Sequence, residues 1–164
     1  MPIQYLRDAA FAVCIIAVGL FAADSPFVGT WKMDAAKSKL ENSGLGQNAT
    51  VHVESDGKTM KVSVDTTNAQ GQPIKFTYQA PLDGKPGTVS GSPTFDEISI
   101  ERVNDHTLSA IAKKSQSSSH GPFLTVVFID QRVVSGDGKT MTIARTGTNA
   151  QGQEFHATMV FDRQ

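Results

Sequence analysis

Apolar and polar residues alternate with a period of two along most of the chain after residue 26. In the segment 27–33, for example, Phe27, Gly29, Trp31 and Met33 share one face of an extended strand. Alternation of this kind is typical of half-buried β-strands, and little of the chain shows a helical period. The alternating segments predict ten strands, which fall on or around residues 27–33, 51–53, 60–65, 74–78, 87–91, 98–100, 107–113, 123–134, 141–143 and 155–161.

Two pairs of turn motifs recur with a constant offset of 81 positions. Asp56–Met60 returns as Asp137–Met141, and Thr67–Gln72 returns as Thr148–Gln153. Because both turns and the distance between them are copied, the repeat predicts two equivalent β-hairpins in one domain. In the motifs Thr67–Gln72 and Thr148–Gln153, Asn suits the first position of a type I turn, and the Gly three residues later suits a positive φ.

The connections between the predicted strands are short, and none is long enough to hold a crossover helix. Parallel pairing needs such crossovers, so the sheet is expected to be an antiparallel up-and-down meander. A meander of this length avoids exposed edges by closing on itself. The sequence therefore predicts an all-β protein, an up-and-down antiparallel β-barrel of about eight to ten strands.

The N-terminal segment differs from the rest of the chain. A basic residue, Arg7, precedes the apolar run Ala9–Ala23, and polar residues follow. At about 15 residues the run is shorter than the roughly 20 that a spanning helix needs, which favours a cleaved secretory signal over a retained anchor. We expect a signal peptide at 1–23, a barrel domain at 24–164, no membrane span after cleavage, and a secreted or periplasmic location.

Composition narrows the classes of function. Cys14, the only cysteine, lies within the predicted signal, so disulfides and thiolate sites are not expected in the mature chain. The formal net charge is −1, and the charges are scattered singly. Nucleic-acid binding needs clustered Lys and Arg, so a nucleic-acid partner is not expected.

The opening of the barrel domain carries a resemblance to a known family. The segment Phe27–Lys32 contains Gly-x-Trp on the first strand after a signal, as in lipocalin-like (calycin) proteins. With the Ala-Lys-Ser-Lys and Asp-Gly-Lys-Thr-Met segments, the chain also resembles small exported bacterial lipocalin-like proteins of unknown function. The resemblance implies that Trp31 plugs one end of the barrel and that Arg163 lies across it.

Residues with catalytic or metal-binding chemistry do not form a recognisable motif. His52, His106, His120 and His156 make no pair with metal-ligand spacing, so neither zinc nor another cofactor is expected. His156 lies on the last strand, where some related barrels hold haem, but alternation directs it to solvent.

The acidic residues also give no sign of catalysis. Glu97, Glu101, Asp130 and Glu154 occur singly and are interpreted as members of polar strand faces. No serine lies within a Gly-x-Ser-x-Gly motif, the nucleophile elbow of many hydrolases. We therefore predict that the protein is not an enzyme.

The inward face is the remaining candidate for a binding site. The residues expected to line it are Trp31, Val62, Phe76, Tyr78, Ile100, Met141, Phe155 and Met159. A barrel of this size is either filled by side chains or holds one small ligand, so two functions stay open. One is a carrier of a small hydrophobic ligand. The other is a non-catalytic interaction or structural module of the cell envelope, with a filled core and working loops at Asn42–Asn48 and Ser115–Pro122.

Overall fold

The computed structural model describes residues 25–149 and 151–164. The predicted signal peptide, 1–23, lies outside the described residues. The ten strands are β1 (Gly29–Met33), β2 (Leu45–Ser55), β3 (Thr59–Asn68), β4 (Pro73–Pro81), β5 (Asp83–Ser90), β6 (Glu97–Asn104), β7 (Thr107–Ser118), β8 (Gly121–Val134), β9 (Thr140–Thr148) and β10 (Glu154–Arg163).

Each strand pairs antiparallel with its neighbours in sequence, and β1 pairs with β10, so the sheet closes into a barrel. This confirms the predicted all-β up-and-down architecture. Among the residues described, no helix is long and apolar enough to cross a membrane.

The repeated motifs form the two equivalent hairpins, β3–β4 and β9–β10. The Asn68 amide donates to the Gln72 carbonyl at 3.0 Å, and the Asn149 amide donates to the Gln153 carbonyl at 2.9 Å. In both turns the glycine before the glutamine has a positive φ, 78° and 76°. The copied sequence therefore produces a copied turn, because Gly takes this conformation without the steric cost of a Cβ.

Trp31 and Arg163 close one end of the barrel. The Trp31 side chain is fully buried, and its Nε1 donates to the Phe27 carbonyl at 2.8 Å. The Arg163 guanidinium carbon lies 4.3 Å from the centroid of the indole. The same guanidinium donates to three backbone carbonyls, those of Pro26, Val28 and Gly138.

Gly29, the glycine of the Gly-x-Trp segment, makes room for this arrangement. A Cβ at Gly29 would lie 2.6 Å from Arg163 Nη1, and the backbone there has a φ of 134°. The glycine therefore serves both the backbone conformation and the close approach of the arginine.

Two segments that the sequence suggested as loops are largely strand. β2 begins at Leu45, within the expected loop Asn42–Asn48. The expected loop Ser115–Pro122 is the end of the β7–β8 hairpin, with a turn at Ser119–His120. Polar residues can form strands here, because β7 and β8 pair through their backbone N–H and C=O groups and neither strand needs a buried face at this end.

This end of the hairpin projects beyond the barrel wall. β8 pairs with β9 only from Phe128 onward, so among the described strands Gly121–Val126 pair with β7 alone. Phe123, Leu124 and Val126 are each about half exposed on it. We refer to Lys113–Val126 as the β7–β8 ribbon.

Candidate binding cavity

The barrel encloses an internal cavity of about 90 Å³. Its lining is mostly apolar. Residues of its outer rim, Leu45, Thr66 and Phe76, are partly exposed and lie toward the end that carries the β3–β4 turn. Trp31 closes the opposite end, so the barrel is filled at one end and hollow toward the other.

Five of the eight residues that the sequence suggested for binding line the cavity, namely Val62, Phe76, Tyr78, Met141 and Met159. The other three, Trp31, Ile100 and Phe155, are buried but lie outside the lining. The closing contacts made by Trp31 explain its position, since a side chain that plugs the barrel end cannot also border the open half.

Four aromatic rings form one wall of the cavity. Phe95 sits between its neighbours, with its ring centroid 5.6 Å from that of Phe76 and 5.3 Å from that of Phe128, both edge to face. Tyr78 completes the group at 6.4 Å from Phe95. Sequence reasoning missed Phe95, because it lies in the connection between β5 and β6 rather than on an alternating strand.

A buried ion cluster lies against the same wall. Asp130 on β8 is 1% exposed and accepts hydrogen bonds from two arginines. Arg145 on β9 donates through Nε at 2.7 Å and through Nη2 at 2.8 Å, and Arg132 donates through Nη2 at 3.0 Å. The expectation that Asp130 lies on a polar strand face is therefore wrong, because Asp130 points into the barrel.

Tyr78 and Phe128 hold the two guanidinium groups of this cluster. Arg132 Nη1 donates to the Tyr78 hydroxyl at 2.8 Å, and the Arg145 guanidinium carbon lies 3.6 Å from the centroid of the Phe128 ring. Both arginines line the cavity. The buried Nε of Arg132 has no hydrogen-bond partner among the described residues.

The cluster keeps its charges despite its burial. Burial by itself would raise the pKa of Asp130, but Arg145 and Arg132 hold that pKa below its usual value. Burial likewise opposes the charged form of Arg132, whereas Tyr78 and Asp130 raise the pKa of Arg132 above its ordinary value. One carboxylate therefore faces two guanidinium groups, and the cluster carries an excess of one positive charge.

The pattern of apolar and polar residues on β8 is ambiguous about this cluster. One face of β8 is buried along its second half and consists of Phe128, Asp130, Arg132 and Val134. The opposite parity holds apolar residues too, including Ile129 and Val133, which are exposed. Because both faces of the segment contain apolar residues, alternation alone could not decide which face was inward.

Within residues 25–149 and 151–164, no group of three or more His, Cys, Asp and Glu side chains is arranged to hold a metal ion. His156 is exposed on β10, as its parity predicts.

No protein-family model matches the chain, and no curated protein matches it. Several solved structures align with the chain, including the following two. The structure of EF1p2_mFAP2b bound to DFHBI aligns at a TM-score of 0.45 and 12% identity, over 85% of this chain and 94% of the other. A de novo designed fluorescence-activating β-barrel aligns at a TM-score of 0.43 and 13% identity, over 87% and 97%. At these identities the likeness concerns overall architecture alone.

Proposed function

We propose that the protein is an exported, non-enzymatic, lipocalin-like carrier that holds one small, mainly apolar ligand inside the barrel. The observation that carries this proposal is the apolar internal cavity that ends at the partly exposed residues Leu45, Thr66 and Phe76. Binding sites for small molecules are typically concave and apolar, with a few polar groups that orient the ligand.

The two ends of the barrel supply a direction of entry. Trp31 and Arg163 fill one end, so a ligand enters past the rim at the other. The Gly-x-Trp segment and the Trp31–Arg163 contact support the lipocalin-like assignment, and the predicted signal at 1–23 supports export.

The volume of the cavity limits the size of the ligand. A cavity of about 150 Å³ is known to accept benzene, and this one measures about 90 Å³. The lining includes Met33, Met141 and Met159, whose unbranched side chains adapt their shape at low cost. We therefore expect a ligand of about the size of one ring or a short alkyl chain.

Native mass spectrometry of the protein isolated gently from its own host tests the proposal. We expect an additional mass that is lost on denaturation. A matched variant, Val64→Trp, should place an indole at the rim and abolish the additional mass while the protein stays folded. A bare polypeptide mass, together with no binding of small apolar probes, would overturn the proposal.

One observation favours a second candidate, an interaction module of the cell envelope. The β7–β8 ribbon exposes Leu124 and Val126 on one face and Phe123 on the other, and exposed apolar patches often mark interaction sites. Cross-linking in cell-envelope extracts should then capture a partner with the natural protein and lose it with the double variant Phe123→Ser and Leu124→Ser. Capture that is equal for both proteins would contradict this candidate.

A further inference from the structure

We propose that the ligand carries a single carboxylate and that Arg132, together with Arg145 and Tyr78, binds this group inside the cavity. The inference rests on the proposed carrier function and names the chemical class of its ligand. The observation behind it is a guanidinium that lines an apolar cavity and still has an unused donor, the buried Nε of Arg132.

The charge balance of the cluster points to an anion. Asp130 neutralises one of the two guanidinium groups, and burial of the remaining positive charge without a counter-ion is unfavourable. One further negative charge would neutralise the cluster. A phosphate dianion would exceed this requirement, whereas a carboxylate meets it.

Two kinds of donor at the cluster, guanidinium N–H and tyrosine O–H, can bind a carboxylate. Guanidinium groups bind carboxylates through two parallel N–H donors in a plane. In addition, the Tyr78 hydroxyl accepts from Arg132 at 2.8 Å, and a hydroxyl that accepts one hydrogen bond can donate another. Arg132 and Tyr78 are in contact and both line the cavity, so one ligand group can reach both side chains.

The surroundings of the cluster accept the rest of such a ligand. The lining around it is formed by aromatic rings and methionines, including Phe95, Phe128 and Met159. The ligand is thus amphipathic, with an anionic group at the arginines and a short alkyl or single-ring body against the apolar wall.

Calorimetric titration with two pairs of probes tests the inference. Each pair joins a carboxylate to a neutral compound of similar shape: butanoate with 1-butanol, and benzoate with benzyl alcohol. We expect each carboxylate to bind at least about tenfold more tightly than its neutral partner, since hydrogen bonds to charged groups are strong. This comparison uses the natural protein and needs no variant to fold.

Variants then assign the effect to Arg132. Arg132→Gln should weaken carboxylate binding about tenfold or more and change alcohol binding less than twofold. Arg102→Gln is the matched control, because Arg102 is exposed on β6 and donates to the Gly57 carbonyl outside the cavity.

The outcomes separate this inference from the carrier proposal. Equal affinities for carboxylates and alcohols, or carboxylate binding that Arg132→Gln leaves unchanged, would overturn the carboxylate assignment and leave the carrier in place. Failure of all four probes to bind, with a bare mass in native mass spectrometry, would overturn both. Failure of the probes with a neutral co-purified ligand would overturn the carboxylate assignment alone.

Discussion

The β3–β4 and β9–β10 hairpins share one backbone pattern, but their interiors differ. Val64 lies opposite Phe76 in the first hairpin, and Arg145 lies opposite Ala157 in the second, 81 residues later. Even the hydrogen bonds at the strand ends correspond. The Leu82 amide donates to the Lys58 carbonyl at 2.8 Å, and the Arg163 amide donates to the Lys139 carbonyl at 2.9 Å.

The difference in charge lies at two equivalent positions. Val64 and Leu82 in the first copy are apolar, whereas the corresponding residues in the second copy are Arg145 and Arg163. Arg145 enters the ion cluster at the cavity, and Arg163 closes the far end of the barrel. Turn residues therefore set the shape of a hairpin, while its inward residues are free to bring charge to selected places.

The largest expected effect is at the closed end, where the second copy contributes Arg163. Trp31→Ala should lower the free energy of unfolding by about 3–5 kcal/mol, because it removes a fully buried indole and leaves a cavity. Arg163→Ala should cost less. In urea denaturation the two effects should be non-additive, since the side chains are in contact. Simple additivity would contradict the coupling of the two residues.

Asp130 compensates the charge of Arg145, the arginine that the second hairpin brings to the cavity. Asp130→Ala should destabilise the protein by about 3 kcal/mol, at the low end of the range for breaking a buried ion pair, because Arg145 reaches solvent in part. Denaturation of this variant beside Glu101→Ala, an exposed control on β6, measures the effect. Equal stability of the two variants would contradict the importance of the cluster.

The same carboxylate predicts a pH dependence. The pKa of Asp130 in the folded protein lies below its usual value, and a carboxylate in the unfolded chain titrates near 4. Its contribution is therefore complete above about pH 4 and is lost as the pH falls through the folded pKa. The stability difference between the natural protein and Asp130→Ala should shrink in acid. A constant difference down to pH 2 would contradict an ionised Asp130.

Arg145→Val makes the second copy resemble the first. Asp130 keeps Arg132 as a partner, so we expect a loss of only about 1–2 kcal/mol. A double-mutant cycle with Asp130→Ala should show strong coupling, because Arg145 donates two hydrogen bonds to Asp130. Independent effects would show that the second copy does not need its cation.

The smallest expected effect concerns the turns, whose geometry the two hairpins share. Gly71→Ala and Gly152→Ala each place a Cβ on a residue with a positive φ, in turns of the same geometry. Each should cost about 1 kcal/mol, and the two costs should agree within about 0.5 kcal/mol and add in the double variant. Clearly unequal costs would show that the two turns are not equivalent in energy.

Much of the fold could be predicted from the sequence because local patterns determine it. Alternation located the ten strands, and the repeated Asn and Gly positions identified the two equivalent turns. Strand ends were less predictable. The segment Ser115–Pro122, at the end of the β7–β8 ribbon, reads as a polar loop, since no buried face imposes alternation on Ser115–Ser118.

The cavity was predictable only in its apolar part. Val62, Phe76 and Met159 follow from parity on regular strands. The ion cluster did not follow, because an arginine or aspartate on a strand faces solvent in most sheets and β8 has apolar residues on both parities. Only the closed barrel shows that Asp130 meets Arg145 across a strand pair, and that Arg132 meets Tyr78 from the far side of the barrel.

The seam between β1 and β10 has a consequence for when the protein can fold. Arg163 donates to the Val28 carbonyl, 135 residues away in the chain, and the seam pairs Trp31 with Arg163. Contacts between distant segments form late, because the loop between them loses entropy when it closes. A growing or translocating chain therefore cannot complete the barrel until β10 has emerged. For a protein that is exported as proposed, this delay keeps the polypeptide unfolded while it crosses the membrane. The barrel then closes in the compartment in which the protein works.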